Sequence, residues 1–99
     1  MEKKILVVDD ELNIRNLLYD VFSKEGYKVF ATFGGEEAIE IVRKEKPDLI
    51  LLDIMMPKLD GIETLKIIRK FDTQTKIIML TAIGMVELER QARVNGANG

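Results

Sequence analysis

The run at residues 49–52, Leu-Ile-Leu-Leu, constrains the fold most strongly, and it ends directly on Asp53. A short, unbroken apolar run is typical of a strand that a parallel sheet buries on both faces. Asp53 would then lie at the carboxyl end of a central strand, where open α/β sheets bind their ligands. Because a carboxylate is costly to bury without a cation, this position predicts a site for a metal ion or a phosphoryl group.

Two other apolar runs lead into polar side chains in the same way. Residues 5–8 are followed by Asp9 and Asp10, and residues 76–80 are followed by Thr81. Both runs contain β-branched residues and have the length of a buried strand, so each predicts another strand of the same sheet.

A weaker alternation over residues 27–32 predicts one more strand, near an edge of the sheet. Apolar residues at helical spacing separate the strands. The four helical patterns are Ile14, Leu17, Leu18, Val21 and Phe22, then Ala38, Ile39, Ile41 and Val42, then Ile62, Leu65, Ile68 and Phe71, and lastly Met85, Leu88 and Ala92. Gly26 and Gly96 lie where helices would end, Pro47 stops the second helix, and Gly61 is free to adopt a positive φ.

This alternation of strands and helices predicts an α/β fold with a flavodoxin-like, doubly wound parallel sheet in the strand order 2-1-3-4. In that order the first, third and fourth strands are adjacent, so Asp9, Asp10, Asp53 and Thr81 converge on one shallow cleft. Three clustered carboxylates repel one another and favour a hard divalent cation such as Mg²⁺.

Composition narrows the function classes. The chain has 99 residues, a formal charge of −2, no Cys and no His. One small domain is expected, without disulfides and without the usual ligands of zinc, so that any metal must be bound by oxygen. No apolar stretch is long enough for a membrane span and no signal peptide is present, so we expect a soluble cytoplasmic protein with no nucleic-acid or membrane partner.

Each site residue also has a purely structural interpretation. Asp9 or Asp10 could cap the first helix, Asp53 could be a loop acid, and Thr81 could be an ordinary residue at a strand end. Their coincidence at three adjacent strand ends favours the functional interpretation. Nucleotide binding has no support, because the glycines do not form a G-x-G-x-x-G motif.

Residues 7–11, 51–57, 60–61 and 80–82 together resemble the receiver domain of two-component response regulators. The resemblance runs along the whole chain in register. Within that family, residues 21–27 are similar to the single-domain regulators of sporulation phosphorelays.

The resemblance implies a chemistry for the acidic residues. Asp53 matches the phosphoacceptor, which takes a phosphoryl group from a phosphohistidine and passes it on. Asp9 and Asp10 match the acids that hold Mg²⁺, together with Asp53 and the backbone carbonyl of Met55. Such a domain catalyses its own phosphorylation and dephosphorylation and is not a turnover enzyme.

Thr81 matches the switch residue of the family, and Ala82 matches the small neighbour that leaves access to the site. The implied partners are a sensor histidine kinase, a histidine phosphotransferase, or both.

The chain departs from the family pattern at its end. Family members continue past Gly96-Ala97 with a fifth strand, a Lys-Pro pair and a fifth helix, whereas this sequence ends at Gly99. We therefore expect residues 1–99 to form a receiver domain truncated at its C-terminus, with the fifth β-α unit missing. Exposed apolar surface beside the first helix and an open edge on the fourth strand would follow, and with them a possible homodimer or domain swap.

Two rival classes stay open. A phosphohydrolase of the haloacid dehalogenase kind also places an aspartate nucleophile after a strand, but it needs an acid two positions later, where this chain has Met55. A non-catalytic interaction module would use the same surface without phosphotransfer.

Overall fold

The computed structural model describes residues 2–56, 58–80 and 86–99. In these segments strands and helices alternate as the apolar pattern predicts. The elements are β1 (Lys4–Val8), α1 (Leu12–Lys24), β2 (Lys28–Thr32), α2 (Gly35–Glu45), β3 (Leu49–Asp53), α3 (Gly61–Phe71), β4 (Lys76–Leu80) and α4 (Val86–Val94). Met85, which the sequence places in the fourth helix, and Gly84 lie outside the described residues.

The four strands form one parallel sheet in the order β2-β1-β3-β4. The predicted doubly wound fold and the edge position of β2 are therefore confirmed. β1 and β3 are central, and four of the five residues in each are buried. Because Val8 pairs with Leu52, the residues that follow them, Asp9 and Asp53, are side by side at the carboxyl edge of the sheet.

Side chains of the strands alternate between two cores of unequal size, as the pleat requires. The larger core lies on the face covered by α2, α3 and α4. Its buried members are Leu6, Val8, Ala38, Val42, Ile50, Leu52, Ile54, Met56, Ile62, Leu65, Ile68, Ile77 and Ala92. The smaller core lies under α1 and consists of Ile5, Val7 and Leu51, with Leu18, Phe22, Val29, Leu49 and Leu80 packed against them.

The first helix is less buried than its pattern predicts. None of its residues is fully buried, and Leu17 and Val21 are 57% and 46% exposed. The helical pattern itself is confirmed, but these two of its five apolar residues are largely exposed. Ile78 of β4 is also exposed, which agrees with the expectation of apolar surface on this side of the sheet.

The outer edge of β4 is bonded to the end of the chain. The Asn98 N–H donates to the Ile77 carbonyl at 2.7 Å, and the Met79 N–H donates to the Gly99 carbonyl at 2.7 Å. Arg69 of α3 holds the same segment by donating to Asn98 Oδ1 at 3.1 Å. The prediction of an open edge is therefore wrong at Ile77 and Met79, and pairing between copies loses its basis there.

Within the described part of the chain, no helix has both the length and the apolar character needed to cross a bilayer.

Candidate metal and phosphoryl site

Three carboxylates converge at the carboxyl edge of the sheet. Asp9, Asp10 and Asp53 each offer one oxygen, and these oxygens lie within 4.8 Å of one another. Asp9 and Asp53 are only 2% and 5% exposed, whereas Asp10 is exposed. The predicted meeting of these three side chains is confirmed.

Asp9 is fixed by hydrogen bonds in three directions. Its N–H donates to the Thr32 carbonyl at 3.1 Å, which extends the pairing of β1 with β2. Its Oδ1 accepts the Glu11 N–H at 2.9 Å, and its carbonyl accepts Nη1 of Arg15 at 2.9 Å. The N-cap residue of α1 is Glu11, whose side chain makes no capping hydrogen bond, so the alternative that Asp9 or Asp10 is the N-cap residue is wrong.

Asp53 ends β3, and the loop behind it is closed tightly. Its Oδ1 accepts the Met55 N–H at 3.1 Å, which orients the carboxylate. The loop returns to the strand at Gly61, whose N–H donates to the Ile54 carbonyl at 2.9 Å. A Cβ at Gly61 would lie 2.1 Å from the Asp53 carbonyl oxygen.

Gly61 does not adopt the positive φ that glycine allows; in the described residues the glycines with a positive φ are Gly26 and Gly96. Gly61 begins α3 beside the backbone of Asp53, the last residue of β3, so the lack of space for a side chain, and not the backbone conformation, requires glycine there. Gly26 and Gly96 do end helices in the left-handed region, as expected.

A cleft of about 490 Å³ opens beside the carboxylates. Its lining includes Asp10 and Met55, together with Leu88 and Gln91 of α4. Met55 is 56% exposed, whereas Met56 packs into the larger core. Of the three carboxylates, Asp10 lines this cleft and is exposed, whereas Asp9 and Asp53 are buried and do not line it.

The donor set fits a hard divalent cation. Three carboxylate oxygens this close repel one another, and Mg²⁺ is bound in proteins by a few carboxylates, carbonyls and waters. The chain has no Cys or His to supply softer ligands.

Two contributors to this region were missed from the sequence. Arg15 binds the carbonyl of Asp9, and Asp60 caps α3 by accepting the Glu63 N–H at 2.9 Å. The signal for Asp60 was its position directly before a helical pattern. The signal for Arg15 was a cation one turn into the helix that follows two acids. Thr81 and Ala82 lie outside the described residues, as does Pro57.

Comparison with known proteins gives consistent matches. A family model for the response regulator receiver domain matches residues 5–99. Sporulation initiation phosphotransferase F of Bacillus subtilis is 45% identical over 97 residues, which make up 98% of this chain and 78% of that protein. The alkaline phosphatase synthesis transcriptional regulatory protein PhoP of the same organism is 52% identical over 82 residues, covering 83% of this chain.

The chain spans only 34% of the length of that transcriptional regulator. Among solved structures, the chemotaxis protein CheY4 of Vibrio cholerae superposes with a TM-score of 0.90 at 33% identity, covering 100% of this chain and 84% of that one.

Proposed function

Because the chain belongs to the response regulator receiver family, we propose that it accepts a phosphoryl group on Asp53 from a phosphohistidine and passes it on as a member of a phosphorelay. Receiver domains work with histidine kinases and histidine phosphotransferases, so the partner is of that kind. The observation that carries the proposal is the convergence of Asp9, Asp10 and Asp53 within 4.8 Å at the sheet edge. Residues 1–99 act as one receiver domain.

In the proposed transfer, a carboxylate oxygen of Asp53 forms a bond to phosphorus while the P–N bond of the phosphohistidine breaks. The electron pair of that bond stays on the imidazole nitrogen, and an aspartyl phosphate remains on Asp53. The hydrogen bond from the Met55 N–H holds the carboxylate in one orientation before the donor arrives. Such fixed orientation lowers the entropic cost of the reaction.

Asp9, Asp10 and Asp53, with the backbone carbonyl of Met55, would hold Mg²⁺. When bound, the ion offsets the negative charge on the transferring group. Because Asp9 and Asp53 are almost fully buried, water screens their repulsion poorly, which favours a cation between them.

Thr81 and Ala82 take their proposed roles from the family pattern. The Thr81 hydroxyl would move to a phosphoryl oxygen and so couple phosphorylation to the loop after β4, and the small Ala82 would leave room for the donor.

A labelling experiment tests the proposal. The purified chain is incubated with acetyl phosphate and Mg²⁺, and its intact mass is followed. We expect a gain of one phosphoryl group that disappears with a chelator and in Asp53→Ala. Asp20→Asn, an exposed acid of α1, is the matched control and should label like the wild type. Labelling that persists in Asp53→Ala would assign the acceptor elsewhere.

The same experiment distinguishes the proposed function from the two rival classes. An interaction module without phosphotransfer would take up no label under any of these conditions. A phosphohydrolase would release inorganic phosphate continuously, without a persistent mass gain on Asp53.

A further inference from the structure

Arg15 contacts the backbone on both sides of Asp10. Its main-chain N–H donates to the Glu11 carbonyl at 3.0 Å, and its guanidinium Nη1 donates to the Asp9 carbonyl at 2.9 Å. The first of these is the helix's own i→i−4 bond, which any residue at position 15 would make. The guanidinium is therefore the part of Arg15 that ties α1 to the turn presenting Asp10, the exposed member of the acidic pocket.

We propose that Arg15 is a positioning residue, which fixes the turn of Asp9 and Asp10 and thereby sets the affinity of the acidic pocket for Mg²⁺. This inference rests on the proposed function, because it concerns the same three carboxylates.

The local geometry shows why such a residue is needed. Within the turn, Asp9 Oδ1 accepts the Glu11 N–H at 2.9 Å, a short-range bond that shapes the backbone but does not tie it to α1. The start of α1 has no side-chain cap. The guanidinium of Arg15 supplies a charge-assisted bond between the helix and the end of β1.

Phe33 helps to hold the guanidinium in place. The Arg15 guanidinium carbon lies 6.0 Å from the centre of the Phe33 ring, at the outer limit of a cation–π contact. Phe33 is 63% exposed, so its ring is not part of the core. The arginine is thus held between the end of β1 and the residue that follows β2.

The charge and the geometry of Arg15 make opposite predictions. A cation beside the pocket repels a divalent ion, so if charge alone mattered, removing it would tighten Mg²⁺ binding. If Arg15 positions the turn, removing it lets Asp10 move and weakens binding. The sign of the change in affinity therefore distinguishes the two effects.

The test is a titration of the 99-residue chain with Mg²⁺ alone. Binding is measured by isothermal titration calorimetry and by changes in amide NMR chemical shifts. Arg15→Ala should bind about tenfold more weakly, the size of one lost charge-assisted hydrogen bond. Arg15→Lys keeps the charge but not the planar fork, and should bind about threefold more weakly, so that any loss reports geometry alone. Lys24→Gln, which removes a charge from the far end of α1, should stay within about twofold of the wild type.

Hydrogen exchange adds a readout of the turn itself. In Arg15→Lys the Glu11 amide should exchange faster, while the Met55 amide, which bonds to Asp53 Oδ1, should keep its rate. If Arg15→Ala fails to fold, Arg15→Lys decides the question.

Affinities in both Arg15 variants equal to or above that of the wild type would overturn the inference while leaving the proposed function intact. A wild-type chain that binds no Mg²⁺, or an Asp10→Ala variant that binds it undiminished, would overturn both.

Discussion

α1 and α3 lie on opposite faces of the same sheet, and their sequences have similar apolar patterns. α3 buries Gly61, Ile62, Thr64, Leu65 and Ile68 and is capped by the side chain of Asp60. α1 buries no residue completely and has no side-chain cap. The difference shows that periodicity predicts a helix and its inner face, whereas the depth of burial depends on neighbours. α3 has α2 and α4 beside it, whereas the main contacts of α1 are with β1 and β2.

Matched leucine truncations test this contrast with the largest expected effect. Leu65→Ala, in the larger core with no exposed surface, should lower the free energy of unfolding by about 3 kcal/mol. Leu18→Ala, half-buried under α1, should cost about 1 kcal/mol, because less apolar surface is lost and the space opens toward solvent. Urea denaturation at pH 7 measures both.

Leu17→Ala is the control for this pair, since Leu17 is 57% exposed in the same helix as Leu18. Its effect should be within about 0.5 kcal/mol of zero. An equal loss in the free energy of unfolding for Leu65→Ala and Leu18→Ala would mean that the two faces of the sheet are equally well packed. This result would contradict the difference drawn between α1 and α3.

The helix starts provide a second, smaller test. Asp60→Ala removes the side-chain acceptor of the Glu63 N–H and should destabilise the fold by about 1 kcal/mol. Glu11→Ala at the corresponding position of α1 removes no cap and should change stability by only about 0.3 kcal/mol. Thermal unfolding of both variants makes the comparison, and a larger loss in Glu11→Ala would contradict it.

The smallest expected effect concerns pH and the end of α3. Partial burial alone would raise the pKa of Asp72, but hydrogen bonds from Thr75 and Gln74 and the charge of Arg69 outweigh it and lower the pKa below 3.8. A lowered pKa in the folded state stabilises the protein above pH 3.8, and this contribution is lost as the pH falls through the folded-state pKa.

Asp72→Asn should therefore reduce stability at pH 7 by roughly 0.5 kcal/mol, a small figure because the group is largely solvated. The difference from the wild type should shrink as the pH falls through the folded-state pKa of Asp72, because its carboxyl group then becomes neutral like the asparagine amide. Asp20→Asn on α1 is the control. Urea denaturation across this pH range would contradict the assignment if the difference grew on acidification.

Most of the fold could be predicted from the sequence, because short apolar runs indicate the strands. The order and register of parallel strands then determine which residues meet at the carboxyl edge of the sheet. Asp9, Asp10 and Asp53 were predictable for that reason. The contact of Arg15 with the Asp9 carbonyl was not, since it depends on how the turn directs a long side chain. The exposure of Leu17 beside the half-buried Leu18 was likewise beyond the pattern, because a rotation of the helix by a fraction of a turn decides it.

The lack of room at Gly61 determines which mutations its codon can tolerate. Every single-base missense change in a glycine codon introduces a larger residue, and any Cβ at this position would overlap the Asp53 carbonyl. Gly34 has extended backbone and open space around it, so alanine or serine would be accepted there. In a library of all codon changes selected for folded protein, position 61 should therefore be recovered almost solely as synonymous glycine codons. Position 34 should also be recovered as codons for other small residues. A distance of 2.1 Å thus restricts the codon at position 61 to those that encode glycine.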